Sequence, residues 1–433
     1  MQNVKKYNVL IALLLSVLTA SAVDYVDLDA YKDQQCIKSP SGTIASWLED
    51  GWNSLVSSVN ETVYTDNIST DRFWNTLHSS LEDGTFYNRV AGMQFADLET
   101  GSDLFLKTVY SAIYEIPVKY KSSLPNGDTI TLSGKIFLPK NKRVKNIIIA
   151  NHYTICSNQE APGHASCIEG IFATKDYIVL MPDYIGYGIS QSITHPYLHL
   201  ESTVTSAIDL LKAALPYLQS NCYIFSKSLI LIGYSQGAAA TLALQNELEK
   251  NYSNAYSIQQ IYAGAGPYDL AATFDFYTSN PFTDIPCSLP MLIMGMNMGE
   301  DLHLRMEDFF QPILLKAYPR LIESKTKMMN EVNAELGNDI KKLLKPVIFH
   351  KDSYPTSVLY KAVQNNCIVQ WTPQNPLYLF HSTEDNMVPF LNSLHVKEAF
   401  DSQQLENVQY DFAPYGNHMN AAVTFFEKVY KSL

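Results

Sequence analysis

From about residue 111 onward, short continuous apolar runs recur along this chain, separated by segments whose apolar residues fall at helical spacing. "VKNIIIAN", "YIVLMPD", "SLILIGY", "IQQIYAGAG" and "PLYLFHS" are runs of the first kind. They suit strands buried on both faces of a parallel sheet. Between them, "VTSAIDLLKAALPYL" sets Val204, Ala207, Leu211, Ala214, Leu215 and Leu218 on one helical face. "GAAATLALQNELEK" reads as a second helix. Ahead of this alternation, "YEIPVKYKSS" and "TITLSGKIFLP" read as strands around the turn "LPNGD". Strand and helix in alternation predict an α/β fold: a mostly parallel sheet flanked by helices, with right-handed crossovers.

Two stretches depart from this rhythm. Residues 23–110 lean helical but are irregular, and they read as an N-terminal helical extension to a main domain at 111–433. Between about Ser279 and Pro373 the pattern is mostly helical and rich in methionine, as in "MLIMGMNMGEDLHLRMEDFF". This insertion is expected to cap the sheet edge, with Met291, Met294, Met296, Met298 and Met306 lining a pocket, since methionine adapts to apolar chains of varied shape.

Residues 1–22 predict an export signal. Lys5 and Lys6 precede the apolar run "VLIALLLSVL", and Ala20 and Ala22 place a cut after Ala22. The run is too short to span a bilayer, and no later stretch is long and apolar enough to cross a membrane. An uncleaved anchor is the alternative. The expected location is exported, secreted or periplasmic.

Removing two lysines takes the formal charge from −12 to −14. A chain this acidic is a poor partner for nucleic acid or anionic lipid. Six cysteines remain after the cut, and an oxidising compartment permits disulfides. Cys156 with Cys167 would close a short loop and is the expected pair. His152, Cys156, His164 and Cys167 also lie close in sequence, but their spacing fits no standard zinc pattern, so no metal is expected.

The pentad "GYSQG" (233–237) falls between an expected strand and an expected helix. A serine on such a sharp turn projects above the sheet edge, and Gly233 and Gly237 relieve the crowding that the turn creates. A serine hydroxyl needs a base to take its proton, and a histidine base needs a carboxylate to fix its tautomer. "FHSTEDNMVP" supplies Asp385, with Glu384 as its neighbouring alternative. "PYGNHMN" supplies His418 just before the last expected helix. His381, at the end of its strand, reads as structural. The order Ser235, Asp385, His418 suits a nucleophile elbow.

With these motifs in place, the chain resembles the α/β-hydrolases, and among them the secretory lipases and related secreted esterases. "YKSSLPNGDTITLSGKIFLPK", "PDYIGYGIS" with "HPYLH", "GYSQGAAA", "STEDNMVP" and "GNHMN" carry the resemblance, across about residues 110–433. It implies cleavage of carboxylic esters through an acyl-enzyme, without metal or organic cofactor. It also implies an oxyanion hole of backbone N–H groups, one from Gln236 and one from the loop after "NIIIAN", at Thr154 or Tyr153. Asp183, Tyr184 and Gly186 read as loop-shaping. The expected partner is a small-molecule or lipid ester, and oligomeric state is left open. The alternatives are an esterase acting on acylated polysaccharide, a serine peptidase of the same fold, and a non-catalytic binding protein that keeps the fold.

Overall fold

The computed structural model describes residues 23–32, 74–75, 78 and 113–433. The expected signal segment and most of the expected N-terminal extension lie outside these residues. A nine-stranded mixed sheet organises the described chain. Its strands are β1 (Val26–Asp27), β2 (Ile113–Ser123), β3 (Thr129–Pro139), β4 (Ile147–Asn151), β5 (Ile178–Pro182), β6 (Ser228–Tyr234), β7 (Ser257–Gly264), β8 (Leu377–Ser382) and β9 (Val408–Ala413). They lie in the order β1-β2-β3-β5-β4-β6-β7-β8-β9. β3 runs antiparallel to both neighbours, and from β5 to β9 every pairing is parallel.

The continuous apolar runs are central strands, as their pattern requires. Every residue of β4 and β5 is buried, and β6 is buried from Leu229 onward. Alternate residues of β6 serve opposite faces of the sheet. Leu229 and Leu231 join a core with helices α1 (Leu200–Ser220) and α2 (Gln236–Asn251). Ile230, Ile232 and Tyr234 join the core on the other face, beside the C-terminal helix His418–Ser432. The face expected on α1 is observed: Val204, Ala207, Leu211, Ala214 and Leu218 are buried, and Leu215 is half-buried.

β7 and β8 are parallel neighbours, yet seven α-helices intervene in the described chain. These are α3 (Leu270–Ser279), α4 (Ser288–Gly299), α5 (Met306–Phe309), α6 (Pro312–Tyr318), α7 (Met329–Leu336), α8 (Ile340–Leu343) and α9 (Thr356–Asn365). They share an apolar cluster of their own, which Cys156, Tyr197 and Leu198 join from the sheet domain. After β8 come α10 (Leu391–Asp401), β9 and α11 (His418–Ser432). Among the described residues no helix is long and apolar enough to cross a membrane.

The expected Cys156–Cys167 pair is not formed. Cys156 is a free, buried thiol whose sulfur lies 4.0 Å from that of Cys287, while the Cys167 sulfur turns to the Ala165 carbonyl at 3.7 Å. The short helical turn Asn158–Glu160 separates the two residues and directs Cys156 toward α4. Cys222 is in a disulfide.

Candidate active site

Ser235 stands between the last residue of β6 and the first of α2, at φ 57° and ψ −125°. A non-glycine residue in that region carries roughly 1–3 kcal/mol of strain, sustained only where its surroundings fix it. Here the Ser235 N–H donates to the Gly264 carbonyl at 2.9 Å, and its own carbonyl accepts from the Ala238 N–H at 2.9 Å. The flanking glycines are steric necessities. A Cβ on Gly233 would lie 2.1 Å from the Gly237 carbonyl oxygen. One on Gly237 would lie 1.9 Å from the Asn151 carbonyl oxygen at the end of β4. As the first residue of α2, Gln236 has an N–H with no partner carbonyl one turn back in the helix.

Asp385 follows β8 by three residues, and its side chain is shut off from solvent. Its Oδ1 accepts the backbone N–H groups of Met387 (2.9 Å) and Val388 (2.8 Å). Its Oδ2 lies 2.6 Å from His418 Nδ1. A carboxylate only accepts, so His418 donates from Nδ1 and Nε2 is left as the basic nitrogen. Burial pushes the Asp385 carboxyl up, but the charge of His418 and hydrogen bonds from His381 and His418 outweigh it. The group sits well below the usual carboxylate range. Glu384, the alternative acid, is exposed and accepts the Gly416 N–H at 3.1 Å. His418 opens α11, capped by Asn417, and the Tyr234 hydroxyl donates to its carbonyl at 2.7 Å.

Ser235 and His418 face one chamber whose lining is mostly apolar. Tyr153, Thr154 and Gln236 line it too, so both candidates for the second oxyanion donor are at the site. The methionine expectation needs correcting. The methionines that line the chamber are Met329, Met387 and Met419, and none of the five named from the sequence does. On α4 the stripe that meets the chamber is Ser288, Leu289 and Leu292, while Met291 and Met296 turn into the helical layer's own core.

Asp183, Tyr184 and Gly186 shape the loop after β5 and do not line the chamber. Asp183 is fully buried and accepts from the Ser133 hydroxyl and the Gly163 N–H, each at 2.6 Å. The residues weighed as metal ligands diverge. His152 stacks on Tyr184 at 4.0 Å between ring centroids, and His164 lies against Tyr25 and Asn158.

Three features escaped the sequence reading. His381 also reaches Asp385, with Nε2 3.3 Å from Oδ2, so two histidines share one carboxylate. The Gln236 side-chain amide donates to His195 Nε2 at 3.2 Å, while His195 Nδ1 donates to the Ile185 carbonyl at 2.7 Å. Glu160 lines the chamber. Its Oε2 accepts the N–H groups of Cys156 (3.1 Å) and Ser157 (2.9 Å), and burial pushes its carboxyl up to about 7. The spacing Ser157-x-x-Glu160 is a capping box and was legible in the sequence.

Solved structures share this architecture. A hydrolase from Legionella pneumophila matches with a TM-score of 0.66 at 21% identity, over 74% of this chain and 88% of its own. The rice cell wall degrading esterase LipA from Xanthomonas oryzae matches with a TM-score of 0.66 at 22% identity, over 75% and 92%. Candida antarctica lipase A matches with a TM-score of 0.55 at 16% identity, over 72% and 74%. At these identities the likeness establishes the α/β-hydrolase fold. None of the curated proteins matches. The family model for secretory lipases matches residues 168–427, a span that runs from the loop before β5, through the Ser235 elbow and the helical layer, to the helix that begins at His418. More than half of the chain therefore carries the family pattern, so the chain belongs to the secretory lipase family and is a carboxylic-ester hydrolase.

Proposed function

We propose that this protein is an exported serine esterase that forms an acyl-enzyme on Ser235. Ser235 Oγ attacks the ester carbonyl carbon as His418 Nε2 takes its proton. The oxyanion that results is met by the backbone N–H of Gln236 and by one from Tyr153 or Thr154. His418 then protonates the leaving alcohol, and water, activated in turn by His418, releases the acid. Asp385 holds His418 in the tautomer this requires and stabilises its cation. The helical layer between β7 and β8 acts as the cap, with Leu289 and Leu292 against the acyl chain.

The observation that carries this reading is that His418, hydrogen-bonded to the buried Asp385, faces the same apolar chamber as the strained Ser235. The mostly apolar lining favours an apolar acyl group over the acetyl group of a polysaccharide ester. A panel of p-nitrophenyl esters from acetate to palmitate, beside aminoacyl anilides, tests it. Hydrolysis of medium or long acyl esters, lost in Ser235→Ala together with fluorophosphonate labelling, is the expected result. Preference for the anilides, or labelling that survives the substitution, overturns it.

A further inference from the structure

Two buried thiols meet where the sheet domain touches the helical layer. Cys156 is 1% exposed and Cys287 is 0% exposed, and their sulfurs are 4.0 Å apart across 131 residues of chain. Cys156 lies on the loop that leaves β4, two residues beyond Thr154. Cys287 stands at the start of α4 and lines the chamber. Both backbones are fixed around the pair. Glu160 holds the N–H groups of Cys156 and Ser157, and Tyr187 donates to the Ile155 carbonyl at 2.5 Å. The Cys287 N–H donates to Asn333 Oδ1 on α7 at 3.1 Å. At 4.0 Å the two sulfurs stand about 2 Å beyond the disulfide bond length of about 2.05 Å.

We propose that Cys156 and Cys287 are joined by a disulfide in the mature protein, tying the loop that carries the oxyanion-donor candidates to the helical cap. The chemistry is a two-electron oxidation. Two thiols give up two protons and two electrons to a dithiol–disulfide oxidoreductase in its disulfide form, which leaves as a dithiol. Cys222 is itself in a disulfide, and the same class of oxidant would serve both pairs. Hydrogen bonding to Cys287 and burial both push the Cys156 thiol up, so the folded protein offers little thiolate for exchange. The bond then forms during folding, before the helical layer closes over the sulfurs. Once made, it restrains a loop of more than a hundred residues in the unfolded chain, the situation in which a cross-link stabilises most.

The proposal rests on the exported reading only through the oxidant, and its test reads no ester hydrolysis, so the two can fail separately. Full-length protein secreted from a eukaryotic host is unfolded in guanidinium with N-ethylmaleimide and without reductant. It is then cut with trypsin and a glutamate-specific protease, which cleaves after Glu160 and separates Cys156 from Cys167. A peptide pair joining Cys156 to Cys287, lost on reduction, is the expected result. Maleimide on both residues, or Cys156 linked to any other cysteine, overturns the proposal. The stapling role has its own readout. The Cys156→Ser, Cys287→Ser double variant should melt several degrees below wild type, and an unchanged midpoint would overturn that role.

Discussion

Glu169 sits in the short helical turn Ile168–Lys175, is 1% exposed, and among the described residues neither of its carboxyl oxygens has a hydrogen-bond partner. Burial pushes its carboxyl up from 4.5 to about 7. The folded state thus holds its proton to a higher pH than the unfolded state does. The sign follows directly: stability falls as pH rises from about 4.5 to about 7, and the loss is complete above the folded value. At about 1.4 kcal/mol per pH unit, the rise from 4.5 to about 7 costs on the order of 3 kcal/mol at pH 8 relative to pH 4. Glu169→Gln keeps the shape and removes the charge. Its amide is also buried without a partner, a penalty of about 1–3 kcal/mol that does not change with pH. The informative quantity is therefore the stability difference between variant and wild type, measured by urea unfolding at pH 4, 6 and 8. That difference should move in favour of the variant by about 3 kcal/mol across the range. Glu160, raised to about 7 in both proteins, cancels in the comparison. A difference that stays flat with pH would show instead that Glu169 finds a partner or water in solution.

Other expectations follow from the site. Asp385→Asn should lower kcat by about a thousandfold or more through the wrong histidine tautomer, while Glu384→Gln, at the exposed neighbour, should leave kcat within a few-fold of wild type. Leu289→Trp with Leu292→Trp should cut the rate on long-chain p-nitrophenyl esters at least tenfold relative to acetate, and an unchanged chain-length profile would remove α4 from the acyl site. Gly237→Ala, whose Cβ meets a backbone oxygen at 1.9 Å, should yield unfolded or inactive protein, and a folded variant with full activity would contradict the crowding at the elbow. Glu160→Ala should lower kcat more than it raises KM, because it frees the N–H groups of Cys156 and Ser157 beside the oxyanion loop.

Much of this protein was written in local pattern. Continuous apolar runs such as "SLILIGY" identify central strands because only a residue buried on both faces of a sheet can be apolar at every position. The pentad at 233–237 carried its own geometry, since a Cβ at either glycine meets backbone within about two ångströms. Asp385 and His418 were legible as residue types placed after strands in the right order. Tertiary structure alone decided which residues these meet. Cys156 pairs by distance with Cys287 rather than Cys167, because a helical turn between Cys156 and Cys167 points the first at a helix 131 residues away. The methionines of α4 were visible as a cluster, but which face of that helix meets Ser235 depends on how the layer docks, and it presents Leu289 and Leu292. His381 looked like an ordinary strand-end histidine, and its reach to Asp385 exists only because the loop after β8 folds back over it. A sequence records what each residue can do over a few neighbours. The chamber is made of contacts between segments far apart in the chain, and those are fixed only when the sheet and the helices above it pack together.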